Sequence, residues 1–307
     1  MDCAVCGPNV GYRVRYEERV HPGPIDFRAR KVPTHEHFRV VECSSCGLIY
    51  SNPIIPAEVI EGFYRDTPFI GEAPLDDNMV RDYRGHLESI LSLLPGRRNL
   101  LEIGCANGVF LKAALELGFD DVRGVEPGQE AVRQAPPEIR PRIVNSLFTA
   151  DLFEPRSFDV ICCFQILDHF LDPVALLRDV HTLLRDDGVV LLVNHNIRSW
   201  LPRLLGRRCP MYDIEHIYLW DPATMARVLD KTGFDLIRVK NVATSYSLTH
   251  VLRMFPLPWP IKRPILDVLE HHDVGNFRVR ASAGNMLTVG RKRRGDSPAP
   301  RGARAPT

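Results

Sequence analysis

The sequence predicts an α/β protein: a doubly wound, mostly parallel seven-stranded sheet with helices on both faces, preceded by a small cysteine-rich module. Three observations predict it. Short apolar runs alternate with amphipathic segments across residues 98–292. The first run empties into a glycine turn, Gly104-Cys105-Ala106-Asn107-Gly108, ahead of a helical pattern. Two copies of Cys-x-x-Cys-Gly begin at Cys3 and at Cys43.

Each element carries its own signal. Asn99–Ile103 is the first strand. The helix after the turn puts Phe110, Leu111, Ala114 and Leu115 on one face and ends at Gly118, where a left-handed cap suits glycine. Val122–Glu126 and Arg142–Asn145 read as the second and third strands. Phe158–Phe164 is apolar without a break, as a strand buried on both faces requires. Asp172-Pro173 supplies an N-cap and a proline for the first helical turn, and Leu176, Leu177, Val180, Leu183 and Leu184 form that helix's apolar face. Gly188–Asn194 is the fifth strand. Asp221-Pro222 repeats the start signal, with Met225, Val228 and Leu229 facing inward and Gly233 ending the helix. Phe234–Lys240 and Met286–Gly290 complete the seven strands.

Around this region the chain divides into residues 1–55 with the cysteine pairs, 56–97 with helical patterns (Tyr83, Leu87, Ile90, Leu91 and Leu94 on one face), an insertion at 241–283 and a tail at 293–307. The tail is rich in proline, alanine and arginine and is expected to be disordered. The insertion, with Ile265, Leu266, Val268 and Leu269 as an apolar face, is a candidate packed helical pair, lid, dimer contact or peripheral membrane surface. In the 307 residues, 45% hydrophobic and 25% charged side chains describe a globular protein, and a net charge of +1 argues against nucleic acid as a partner. No signal-peptide core and no apolar run of about 18 residues is seen, so a cytoplasmic protein is expected.

In such sheets a ligand sits beyond the carboxyl ends of the strands. Glycines let the backbone approach it, and the following helix aims free N–H groups at it. A nicotinamide site needs G-x-G-x-x-G; here Ala106 stands at the middle position and the spacing is G-x-x-x-G. Glu102 precedes the turn, and Glu126 ends the second strand, where a carboxylate can accept two ribose hydroxyls. An acidic residue, Gly-x-x-x-Gly and a second acidic residue one strand later resemble the class I S-adenosylmethionine-dependent methyltransferases. Further matches follow in order: Ser157–Ile161, Ile166–Pro173 (with Asp168 for the usual Glu), Leu183–Gly188, Glu215–Trp220 and Thr232–Phe234. The resemblance spans about residues 98–292 and implies the Rossmann-like methyltransferase fold. It implies that Glu102 and Gly104 shape the methionine end of the cofactor site, that Glu126 binds the ribose, and that Ser146 and Leu147 lie by the adenine, without the frequent aspartate. It also assigns Cys105, Asn107, Gly108, Pro127, Phe164 and Gln165 to that site.

Two Cys-x-x-Cys pairs supply four soft ligands for a closed tetrahedral site, so Cys3, Cys6, Cys43 and Cys46 are expected to hold a structural zinc ion. Redox-active thiols and a catalytic zinc are the alternatives. His35 and His37 are read as surface histidines on a strand. The layout is similar to the zinc-ribbon extension of some bacterial sugar and natural-product methyltransferases.

Methyl transfer to a hydroxyl needs alignment and a group that takes a proton near neutral pH, which favours histidine. His216 and His169 are the first candidates and His195 a third. The expected acceptor is a sugar, a lipid-linked glycan or a natural-product scaffold. The alternatives are a nicotinamide-dependent oxidoreductase and a zinc-ribbon interaction protein with a degenerate cofactor domain. Oligomeric state and the acceptor atom are left open.

Overall fold

The computed structural model describes residues 1–21, 34–66 and 73–295. The elements run β1 (Tyr12–Tyr16), β2 (Val40–Cys43), β3 (Ile49–Ser51), α1 (Ala57–Asp66), α2 (Ala73–Glu88), β4 (Asn99–Ile103), α3 (Val109–Glu116), β5 (Asp121–Val125), α4 (Gln129–Arg133) and β6 (Ile143–Val144). They continue with β7 (Phe158–Phe164), α5 (Pro173–Leu183), β8 (Leu184–His195), α6 (Trp200–Leu205), β9 (Tyr218–Leu219), α7 (Pro222–Lys231), β10 (Phe234–Ser247), α8 (Leu248–Met254), α9 (Trp259–His271) and β11 (Arg278–Lys292).

Seven strands form one sheet in the order β10-β11-β8-β7-β4-β5-β6. β8, β7, β4, β5 and β6 are parallel, and β11 lies antiparallel between β8 and β10. The chain moves outward from β4 to β5 and β6, then returns to β7 on the other side of β4. At such a reversal the loops leave in opposite directions and a crevice opens at the carboxyl ends. Period-two alternation sends Leu101, Ile103, Ile161, Cys163, Val190 and Leu192 into one core, under α5 and α7. The alternate set, Leu100, Val160, Cys162, Val189, Leu191 and Val193, packs under α2 and α3. Both helix-start signals act as read: the Asp172 side chain accepts from the Ala175 N–H, and Asp221 with Thr224 forms a reciprocal capping pair.

Three features depart from the sequence reading. The cysteine-rich stretch does not make its sheet alone: the order is β1-β2-β3-β9, so Tyr218 and Leu219, from the segment after α6, close it. Phe38, Val41, Leu48 and Tyr50 share a core with Ile214, Tyr218 and Trp220. The 241–283 insertion shrinks to α8, α9 and a short turn, because β10 runs on to Ser247 and β11 starts at Arg278 as a long hairpin. On α9 only Leu266 of the expected apolar face is buried, while Ile265 and Val268 are exposed. Helix α2 stops at Glu88, and Leu91 lies in a single 3₁₀ turn beyond it.

His37 is buried, its Nδ1 2.8 Å from the Phe38 carbonyl, and His35 has φ +57°; neither is on a strand, which corrects the surface-strand reading. At the other end, Arg293 pairs with Asp230 and Asp235, and Arg294 with Asp187. The rest of the expected disordered tail, 296–307, lies outside the described residues, as do 22–33 of the cysteine module and 67–72 of the helical linker. Among the described residues no helix is long and apolar enough to cross a membrane.

Candidate cofactor and acceptor site

The turn after β4 alternates left-handed and ordinary backbone: Gly104, Ala106 and Gly108 have φ of +72°, +48° and +70°. A Cβ on Gly104 would stand 2.7 Å from Ile166 Cγ2, and one on Gly108 2.7 Å from Ile139 Cγ2. Both positions thus need glycine for conformation and for space. Ala106 adopts a conformation that costs an L-residue about 1–2 kcal/mol. What holds it is Glu126: Oε2 accepts from the Ala106 N–H at 2.9 Å and Oε1 from the Gly128 N–H at 2.8 Å. Beyond β6, the Asn145 amide donates to the carbonyls of Glu126 and Pro127.

Glu102 lies at the end of β4, 4% exposed, and its Oε2 has no hydrogen-bond partner. Burial, with the Glu126 carboxylate as second cause, holds its carboxyl well above the usual glutamate range. Burial raises Glu126 as well, opposed by the two backbone N–H groups it accepts from. A buried carboxyl beside a half-buried one, with no cation among those causes, suits a cationic ligand. S-adenosylmethionine carries a sulfonium and an ammonium. The orphaned Glu102 oxygen, the glycine cradle and the strand-end Glu126 fit that group.

The remaining assigned residues divide. Asn107, Pro127, Ser146 and Leu147 are half-buried around the strand ends, and the Ser146 hydroxyl donates to the Leu147 carbonyl. The Cys105 side chain points away into the core, where a Cβ on Gly124 would meet its Sγ at 2.5 Å. Phe164 stacks on Tyr83 of α2 at 4.2 Å between centroids, with Phe110 edge-on at 4.9 Å. These aromatics carry α2 across the sheet beside the turn. Gln165 has φ +56° and a buried Oε1 without a hydrogen-bond partner. Left-handed Ala106 and Gln165, both non-glycine and both at strand ends, carried no sequence signal.

The three histidines converge. The His216 ring stands 5.0 Å from His169 and 4.9 Å from His195, centroid to centroid and edge-on to both. Neighbouring strands β7 and β8 bring His169 and His195 to the same end of the sheet. His216 arrives because the Asp168 carbonyl accepts from the N–H groups of Ile217 and Tyr218, at 2.8 and 3.1 Å. Asn285 orients His195: its amide nitrogen donates to Thr244 Oγ1 and the Tyr246 hydroxyl, so its oxygen accepts from His195 Nδ1 at 2.9 Å. That tautomer leaves Nε2 of His195 as the basic nitrogen. Ile166, whose side chain lies against Gly104, accepts at its carbonyl from the His169 N–H at 3.0 Å and so links the cluster to the glycine turn.

Between α2 and the β10–β11 hairpin lies a cavity of about 410 Å³ lined by Arg81, His86, Lys240, Arg278 and Arg280, among others. Asp82 is its one carboxylate, bound to Arg278 and to the Ser245 N–H and hydroxyl. Sequence reading did not find this cavity, because its cations come from one helix and two distant strands.

At the far side, Cys3, Cys6, Cys43 and Cys46 place their sulfurs within 4.8 Å of one another, with Cys3–Cys46 at 3.5 Å and Cys6–Cys43 at 3.9 Å. Zinc–sulfur bonds of ~2.3 Å in a tetrahedron require sulfurs ~3.8 Å apart, so these thiols fit the ion. Each knuckle is closed by a backbone bond, Gly7 N–H to Cys3 and Gly47 N–H to Cys43. Among the described residues the histidines at 35 and 37 stand outside this cluster.

Comparison with protein families matches residues 76–239, more than half of the chain, to the methyltransferase domain. Among curated proteins, the ubiquinone biosynthesis O-methyltransferase of Neisseria meningitidis serogroup C is 26% identical over 165 residues, 48% of this chain and 68% of that protein. The enzyme of the same name from Cupriavidus pinatubonensis is 26% identical over 158 residues, covering 47% of this chain and 63% of that protein. Among solved structures, a methyltransferase from Bacillus halodurans, described as putative, aligns with TM-score 0.48 and 16% identity over 69% of this chain and 99% of its own. The cysteine module lies outside the matched family region.

Proposed function

From the premise that the chain belongs to the methyltransferase-domain family and is an S-adenosylmethionine-dependent methyltransferase, we propose that it methylates a hydroxyl of a small-molecule or carrier-linked acceptor. The observation that carries the reading is the histidine cluster, joined to the cofactor turn through Ile166 on Gly104. The bound cofactor supplies an electrophilic methyl with a neutral leaving group. This chain's residues hold the acceptor in line, exclude water and take the hydroxyl proton. His216 and His169 are the candidate bases, with His195 already held in a receptive tautomer by Asn285. The relatives' printed names, O-methyltransferases, support oxygen as the methylated atom.

Within that class, a lipid-linked glycan, a sugar or a natural-product scaffold is the acceptor. The cationic cavity favours one that carries phosphate. Asn241 at its edge pairs with Met286, which pairs with Asn194 beside the histidines, so cavity and cluster are about 10 Å apart across two strand spacings. Trp259, Ile261, Ile265 and Val268 are exposed on α9, which leads into β11 near Arg278, and they support a carrier with an apolar tail. In the same reading the four cysteines hold a structural zinc ion, and the protein works in the cytoplasm.

The test is methyl transfer from labelled S-adenosylmethionine to a panel of sugars, phosphorylated and polyprenyl-phosphate-linked glycans, and phenols, with product identification by mass spectrometry. Labelled O-methyl product from a glycan or phenol supports the reading. Cofactor binding with label only on nitrogen or carbon would overturn it.

A further inference from the structure

We propose that Asp168, His169 and His216 form a binding site for a first-row divalent transition-metal ion at the acceptor end of the crevice, separate from the four-cysteine cluster. The proposal rests on the reading of this cluster as the acceptor end of the methyl-transfer site.

The ligand atoms are already assembled. One ligand atom from each of Asp168, His169 and His216 lies within 4.8 Å of the other two, and His169 Nε2 is 4.0 Å from Asp168 Oδ1. Metal bonds of ~2.0–2.2 Å hold such ligands ~3–4.2 Å apart, so rotation about side-chain bonds suffices to close the site. Asp168 and His169 sit just past β7, and the Asp168 carbonyl fastens the segment that carries His216.

A second observation points to a missing ligand. Asp168 is 1% exposed, yet its Oδ2 has no hydrogen-bond partner. Its Oδ1 has only a long contact, 3.5 Å, from the Asn194 amide nitrogen, and the Asn194 oxygen is also buried without a partner. A carboxylate oxygen buried without a donor is costly, and a cation between it and two imidazoles removes the cost. Two nitrogen ligands and one carboxylate favour zinc, cobalt, iron or nickel over calcium or magnesium, which prefer oxygen alone. Three protein ligands leave coordination positions for an acceptor oxygen or water. With the ion bound, His169 and His216 act as ligands and no longer as bases, and the hydroxyl proton passes to Nε2 of His195, which stays outside this ligand set with its Nδ1 engaged by Asn285.

The test uses the full chain with any purification tag removed, titrated with Co²⁺ and followed by visible absorption. Thiolate ligands give intense charge-transfer bands, whereas nitrogen and oxygen ligands give only weak d–d bands, so the two clusters are read separately. The wild type is expected to bind one Co²⁺ with a nitrogen–oxygen spectrum. His216→Gln and Asp168→Asn are each expected to weaken that ion at least tenfold and to leave any thiolate band unchanged. S-adenosylmethionine binding, measured by calorimetry on the same samples, verifies that the variants are folded. Absence of the nitrogen–oxygen ion from the wild type, or its undiminished presence in both variants, overturns the cation site. If Co²⁺ binds as expected but S-adenosylmethionine does not, the methyl-transfer reading fails instead.

Discussion

Glu126 accepts a hydrogen bond from the N–H of Ala106, 2.9 Å long, and so ties the end of β5 to the middle of the glycine turn after β4. The same carboxylate lies close enough to Glu102 to help raise its pKa. One residue therefore shapes the turn and sets its charge. Replacing it with Gln keeps one acceptor oxygen but removes the charge. Glu126→Gln is expected to weaken S-adenosylmethionine binding by at least tenfold while lowering the melting temperature only modestly. A calorimetric Kd equal to that of the wild type would remove Glu126 from the cofactor site.

The raised carboxyls also make binding depend on pH. An acid whose pKa is raised by folding contributes its full stability below its unfolded value of about 4.5, and that contribution is lost as pH rises through the folded value. Relative to the wild type, Glu102→Gln should therefore gain stability as pH rises. A cationic ligand lowers both carboxyl pKa values, so S-adenosylmethionine should bind with proton release and more tightly as pH rises through the range in which the raised carboxyls lose their protons. S-adenosylhomocysteine, which lacks the sulfonium charge, should release fewer protons. Calorimetry in buffers of different ionisation enthalpy measures both, and equal proton release for the two ligands contradicts the account.

Gly104→Ala places a methyl group 2.7 Å from Ile166 Cγ2 at a φ of +72°. The left-handed backbone alone costs about 1–2 kcal/mol. Thermal unfolding should show a loss of at least that size, together with weaker cofactor binding, because Ile166 must move and it links the turn to the histidine cluster. A variant as stable as the wild type would mean that the turn is looser than the geometry implies.

The histidine cluster makes separable predictions for kcat and binding. Alanine at His216, His169 or His195 should lower kcat by about 10²–10⁴ where that ring handles the proton, with the Kd for S-adenosylmethionine unchanged. Asn285→Leu, which frees the His195 tautomer, should lower kcat and displace the pH–rate profile without altering that Kd. If all three histidine variants turn over like the wild type, alignment alone is the better account of the chemistry.

Metal analysis should find one zinc ion per chain at the cysteine cluster, lost in Cys43→Ser. Because β3 pairs with β9 and Lys231 donates to the carbonyls of Ala4 and Val5, removing that ion should destabilise the methyltransferase domain as well as the ribbon. A chain without zinc that keeps its full melting temperature and activity rules this out.

The periodic elements were legible in the sequence because their causes are local. β7 is an unbroken apolar run, α5 and α7 open on Asp-Pro, and Gly104 and Gly108 mark a turn that needs glycine. The four cysteines were legible because two residues between thiolates set their reach along the chain. The convergence of His216 with His169 and His195 was not, because backbone bonds from Ile217 and Tyr218 to Asp168 join segments almost fifty residues apart. Nor was the use of Tyr218 and Leu219 as the fourth strand of the cysteine module, since a two-residue strand has no period to read. Cys105 looked like part of the cofactor site by position, yet packing against Gly124 turns its side chain into the core. Local chemistry thus set the elements and the ligand-ready turn, while long-range pairing and packing determined which side chains meet at the crevice and which are buried away from it.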